Sequence, residues 1–174
     1  PKLSFPPILR MFRTAYIFQN NKKDPVVALP NPLKRLELIN NYEQTRDDLV
    51  MLHQLTDRDF NPQHKVFLEE TPKPKPGAPH AENRIIVGEN ETDFLEFEVF
   101  LETPSIVLIT DNYAKGWQAR DLNGTQDYKL LRANYTLSAL ALERGQHHIR
   151  LEYKPMGFRL GLWISSLTLL GLAL

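Results

Sequence analysis

The sequence predicts a mainly β fold: an antiparallel β-sandwich with a small mixed α/β N-terminal portion and the start of a C-terminal transmembrane helix. Three observations lead there. Leu95, Phe97, Val99 and Leu101 alternate with Glu96, Glu98 and Glu102, the period of a strand with one buried and one wetted face. His147, Ile149, Leu151 and Tyr153 alternate in the same way with His148, Arg150, Glu152 and Lys154. Finally, the run from Leu160 to Leu174 contains no ionisable side chain.

In chain order, four segments are expected. Residues 1–70 form a mixed α/β portion packing on the sandwich. Arg13 to Phe18 is rich in aromatic and β-branched residues and reads as a strand. Thr45 with Asp48 resembles a helix-capping box, and Leu49, Leu52 and Leu55 then recur on one face, which predicts a helix over 46–55. His64 to Glu70 reads as a further strand. Residues 71–83 hold four prolines and no large apolar residue, so they form an extended linker or long loop. Residues 84–156 carry the sandwich: the alternating strand ending at Glu102, then Ser105–Thr110, whose continuous apolar character predicts cover on both faces. Asn123-Gly124 is a hairpin signal between Trp117–Asp121 and Tyr128–Leu131.

Residues 157–174 are the truncated transmembrane helix. Fifteen apolar residues fall short of the roughly 20 that span a bilayer. The alternative is an amphipathic or buried terminal helix, but the run has no polar stripe beyond Ser165, Ser166 and Thr168. Trp163 suits an interfacial position near its start, with Lys154 and Arg159 placed to snorkel. The chain opens on Pro1 and stops while still apolar, which suggests a segment cut from a larger protein.

Composition narrows the functions. The 174 residues balance 21 Lys+Arg against 21 Asp+Glu, which argues against a sequence-independent nucleic-acid binder. Without cysteine there is no disulfide framework, thiolate metal site or cysteine nucleophile. The five histidines show no metal-ligand spacing and read as solvated; His147 and His148, adjacent in a strand, point to opposite faces. Neither metal nor cofactor is expected, and no catalytic motif occurs. One cluster has character: Asn112, Tyr113, Trp117, Arg132, Asn134 and Tyr135. Flat aromatics beside amide and guanidinium donors are what a carbohydrate site uses. A core Trp117, with Asn112 and Asn134 satisfying loop backbone, is the competing explanation.

These residues carry a resemblance. VLITDNYAKGWQA, LLRANYTLSALAL and ERGQHHIRLEYKPMGFRLGLWIS resemble the C-terminal region of the YfhO family of bacterial multi-spanning membrane proteins. The matching positions are Tyr113, Gly116, Trp117, Ala119, Arg132, Ala133, Asn134, Gly145, His147, Tyr153, Pro155 and Phe158. The likeness is strongest over Ile106 to Ser166; the first half is similar to a family segment preceding the sandwich. The chain departs from the pattern at the longer hairpin around Asn123, at Leu137-Ser138 and at Arg144. The resemblance implies a membrane glycosyltransferase-like protein that adds sugars to cell-envelope polymers from a polyprenyl-phosphate donor. It implies a catalytic acid in an early outer loop that this chain does not contain. The expected role is therefore a non-catalytic extracytoplasmic domain at the bacterial cell membrane. Its expected partners are the lipid bilayer, through the C-terminal helix, and a glycan or polyprenyl-linked sugar. A glycan-binding module and a purely structural membrane-proximal domain are the alternatives. Basic residues at Arg150, Lys154 and Arg159 pull toward a cytoplasmic flank, a bias that long translocated domains escape.

Overall fold

The computed structural model describes residues 7–20, 25–124 and 127–155, together with 157, 161, 163–166, 168 and 171. It is mainly β, with 44% strand and 14% helix, and its sheets are mostly antiparallel.

A short helix α1 (Ile8–Met11) precedes a separate two-stranded hairpin, β1 (Tyr16–Phe18) with β2 (Val26–Ala28). Next come β3 (Leu36–Ile39), β4 (Asn41–Gln44), the helix α2 (Asp48–Thr56) and β5 (Lys65–Leu68). The second half contributes β6 (Arg84–Asn90), β7 (Phe94–Leu101), β8 (Ser105–Asn112) and β9 (Trp117–Asp121). It continues with β10 (Asp127–Tyr128), β11 (Leu131–Ala133), β12 (Leu137–Leu142) and β13 (Gly145–Tyr153). One sheet has the order β10-β9-β13-β7-β6, the other β3-β8-β12-β11-β5-β4. Of the first-half strands, β3, β4 and β5 are thus members of the second sheet. Its one parallel pair, β4 with β5, is joined through α2, as a parallel crossover requires.

Three layers follow from where the apolar side chains go. Leu95, Phe97, Val99 and Leu101 of β7, with Ile149 and Leu151 of β13, meet Val107, Ile109 and Leu140 of the other sheet. On that sheet's far face, Ile106, Leu108 and Leu137 pack under Met11, Met51 and Leu55 of the helices. Alternate residues of β8 therefore enter different cores, and this is why its sequence is apolar without interruption.

The structure corrects the reading of α2. Asp47, not Thr45, caps it: the Asp47 carboxylate accepts from the Leu49 and Val50 amides at 2.9 and 3.1 Å. The Thr45 amide is still donating to Leu68 O at 3.0 Å, so the chain is extended there and the helix begins later. Leu49 is 78% exposed; Met51 and Leu55, four apart, are the residues that face the core.

β9 and β10 pair antiparallel, as the Asn123-Gly124 signal predicts. The second strand expected there, Tyr128–Leu131, is instead a crossing point. β10 ends at Tyr128 in one sheet and β11 begins at Leu131 in the other. The proline-rich 71–83 stretch carries no strand or helix and lies along the turn after β7. The Gly77 amide donates to Pro104 O at 2.8 Å, and Asn83 Oδ1 accepts from the Glu102 amide at 2.8 Å.

Within the C-terminal segment the described residues are helical, and Trp163 is 68% exposed. Among the described residues no helix is long and apolar enough to cross a membrane. Most of the apolar run, along with Phe158 and Arg159, lies outside the described residues.

Candidate functional site

β8 and β13 run toward the same end of the sandwich, and β9 and β12 start from it. That end gathers the residues the sequence singled out. The Tyr113 amide donates to Thr136 O at 2.6 Å, and the Thr136 hydroxyl donates to Asn112 Oδ1 at 3.2 Å, so the β8–β9 connection is tied to the β11–β12 turn.

An open depression of about 390 Å³ lies there, lined by Tyr113, Ala114, Lys115, Arg132, Tyr135 and Thr136. The Arg132 guanidinium donates to Tyr135 O at 2.6 Å, pairs with Glu69 at 2.6 Å and sits 5.2 Å from the Tyr135 ring centroid. The cation is thereby fixed beside the aromatic face, with one edge held by protein acceptors. Lys115 is exposed, and no ion-pair partner for it exists among the described residues. Two phenols, an anchored guanidinium and a free ammonium form a surface suited to hydroxyl-rich or anionic ligands.

The other predicted residues lie elsewhere. Asn134 is buried beneath the depression: its Oδ1 accepts from the Phe67 amide at 2.8 Å and its Nδ2 contacts Met11 Sδ at 3.7 Å. It joins β11 to β5, the backbone role that competed with a ligand role in the sequence. Trp117 is half-buried against the core between the sheets, its ring 5.3 Å from that of Tyr153 at 52°. Neither it nor Asn134 lines the depression.

Gly116 explains part of this arrangement. A Cβ there would stand 2.5 Å from Tyr153 Cε2, and the Trp117 ring holds that tyrosine from the side. Gly116→Ala should lower stability by about 1–3 kcal/mol. In a Tyr153→Ala background the same substitution should cost almost nothing, and a pair of thermal melts checks both.

A larger cleft of about 440 Å³, which sequence reasoning missed, opens toward the opposite end between β10, β12, β13 and the proline-rich loop. Glu70, Lys73, Asp127, Tyr128, Lys129 and His147 are among its lining. His147 Nε2 is 2.9 Å from Glu143 O, an atom that can only accept, so this nitrogen carries the proton. Nδ1 then accepts from the Tyr128 hydroxyl at 2.9 Å, which makes His147 a structural half-buried residue rather than the solvated one expected. The signal was the shared burial of Tyr128 and His147, invisible until the strands are aligned. Burial pushes the Tyr128 phenol upward, with the Asp121 carboxylate adding in the same direction. The stabilisation from this more tightly held proton is full below the ordinary tyrosine value of about 10 and is lost as pH rises from there through the raised folded-state value. Tyr128→Phe should therefore flatten the alkaline limb of the stability profile, measured by urea melts at increasing pH.

Among the described residues no group of three His, Cys, Asp or Glu side chains could hold a metal ion. Comparisons of the chain with models of known protein families, with characterised proteins and with solved structures return no match.

Proposed function

We propose that the chain is an extracytoplasmic, membrane-proximal domain of a polytopic glycosyltransferase-like protein of the bacterial cell envelope. By itself it is non-catalytic. In this reading it holds a glycan or a polyprenyl-linked sugar in the depression between Tyr113 and Tyr135, and the apolar C-terminal segment continues as a transmembrane helix. The YfhO resemblance over Ile106 to Ser166 motivates the class.

The observation that carries the ligand role is positional. The depression lies at the end of the sandwich where β13 finishes, the Lys154 amide donating to Gly116 O at 2.7 Å just before the chain enters its apolar run. A ligand there sits beside the start of the apolar segment, where the sugar of a membrane-anchored donor would be presented. Tyr113 and Tyr135 offer flat apolar faces to a ring, and Arg132 and Lys115 offer cations to hydroxyls or a phosphate.

The test is binding of a short-chain polyprenyl-phosphate sugar to the detergent-solubilised protein, followed by titration calorimetry. Tyr113→Ala with Lys115→Ala should weaken binding about tenfold or more, equivalent to about 1.4 kcal/mol. The melting temperature should change little, because Lys115 is exposed and the half-buried Tyr113 belongs to neither hydrophobic core. Equal binding by the wild type and the double variant would remove the depression from the account.

A further inference from the structure

The β1–β2 hairpin belongs to neither large sheet, yet it presents an apolar face to the outside. Its register sets Tyr16 opposite Ala28 and Phe18 opposite Val26, so these four side chains share one surface. Tyr16 is 63%, Phe18 82% and Val26 47% exposed. Their neighbours Ile17 and Val27 are half-buried on the opposite side. An isolated two-stranded ribbon is marginally stable in water, and exposing its larger apolar residues adds no stability. Such a surface needs a cover.

Position identifies the cover. At the hairpin base the Leu29 amide donates to Ala15 O at 2.8 Å. Arg13, just before β1, pairs with Asp111 at 3.3 Å, and Asp111 lies one residue from the end of β8. The hairpin therefore springs from the end of the sandwich at which Tyr153 pairs with Trp117 and the chain departs into its apolar segment. Two apolar structures, far apart in sequence, emerge from one end of the molecule. A bilayer surface meets both at once, with the tyrosine suited to the headgroup level and Phe18 to the acyl boundary.

We propose that the β1–β2 hairpin is a second membrane contact, its Tyr16–Phe18–Val26 face entering the lipid interface beside the C-terminal segment. This rests on the membrane-proximal reading above. The hairpin then fixes the tilt of the sandwich, which a single helical attachment would leave free, and keeps the Tyr113–Tyr135 depression at headgroup height.

Because the chain has no cysteine, single labels can be introduced cleanly. Phe18→Cys, Thr168→Cys and Asn123→Cys, each carrying an environment-sensitive fluorophore, would be reconstituted in vesicles of phosphatidylcholine and phosphatidylglycerol. Asn123 lies at the opposite end, in the β9–β10 connection, and its label should remain fully quenched by aqueous iodide. The label at position 18 should show a blue-shifted emission and a several-fold loss of iodide quenching. An aqueous label at 18 with a lipid-buried label at 168 would overturn the hairpin contact and leave the membrane anchor standing. A lipid-buried label at 18 with an aqueous one at 168 would support the hairpin and overturn the anchor; aqueous labels at both overturn the two together. Self-quenching between position-18 labels without lipid protection would identify a second copy of the chain as the cover and reject the proposal.

Discussion

Phe97→Ala is expected to lower stability by about 3–5 kcal/mol. Phe97 is 1% exposed at the centre of β7, opposite Ile149 on one neighbour and Val87 on the other. Its ring belongs to the core between the sheets, where Val107, Ile109 and Leu140 approach from the second layer. Truncation leaves a void that two hydrogen-bonded sheets cannot close by local adjustment. Against a typical total of about 5–15 kcal/mol, this is a large fraction. Urea unfolding should show a lowered midpoint with an unchanged slope. Glu98→Ala, one residue along and on the wetted face, should change stability by no more than about 0.5 kcal/mol. Similar costs at the two positions would mean that the sheets do not share a core.

Asn134→Ala should cost about 2–4 kcal/mol, from two separable causes. The first is the amide of Phe67, which donates to Asn134 Oδ1 at 2.8 Å and would be left buried without an acceptor, a loss of about 1–3 kcal/mol. The second is conformational: Asn134 has φ 44° and the next residue, Tyr135, φ 71°. Asparagine tolerates this left-handed region better than alanine does, by about 1 kcal/mol. Asn134→Gly removes the acceptor while relieving the backbone, so it should be the milder change. Finding alanine milder than glycine in chemical melts would contradict the account of this turn. Because Arg132 and Tyr135 lie on either side of Asn134, the β11–β12 turn, which Asn134 hydrogen-bonds to β5, also sets the geometry of the depression.

The sequence made the sandwich strands legible where burial is one-sided or total. The Leu95–Leu101 alternation and the apolar run of β8 each have a direct structural counterpart. β12 was not legible: LSALAL is made of good helix formers, and only its position between β8 and β11 makes it a strand. β6 was obscured for the opposite reason, since most of RIIVGEN is exposed at a sheet edge. The helix α2 was visible and Leu55 faces the core as expected, but the spacing of three that links the leucines includes the exposed Leu49 and passes over Met51, which lies four residues before Leu55. At the depression, Tyr113, Arg132 and Tyr135 were readable as residue types. Lys115 was not, and for Asn134 the sequence offers both a ligand role and a loop-backbone role, between which the left-handed turn decides. The Tyr128–His147 pair needed two strands to meet before it existed at all.

On the proposed function, the domain faces the exterior of a membrane to which its own C-terminal segment attaches it. Cysteines placed singly at Lys73 and Gly124, both exposed and in different loops, would be tested in whole cells expressing the membrane-bound protein. The reagent is a membrane-impermeant maleimide. The account predicts labelling of both positions in intact cells, with little increase after lysis. Labelling of either position only after lysis would contradict it.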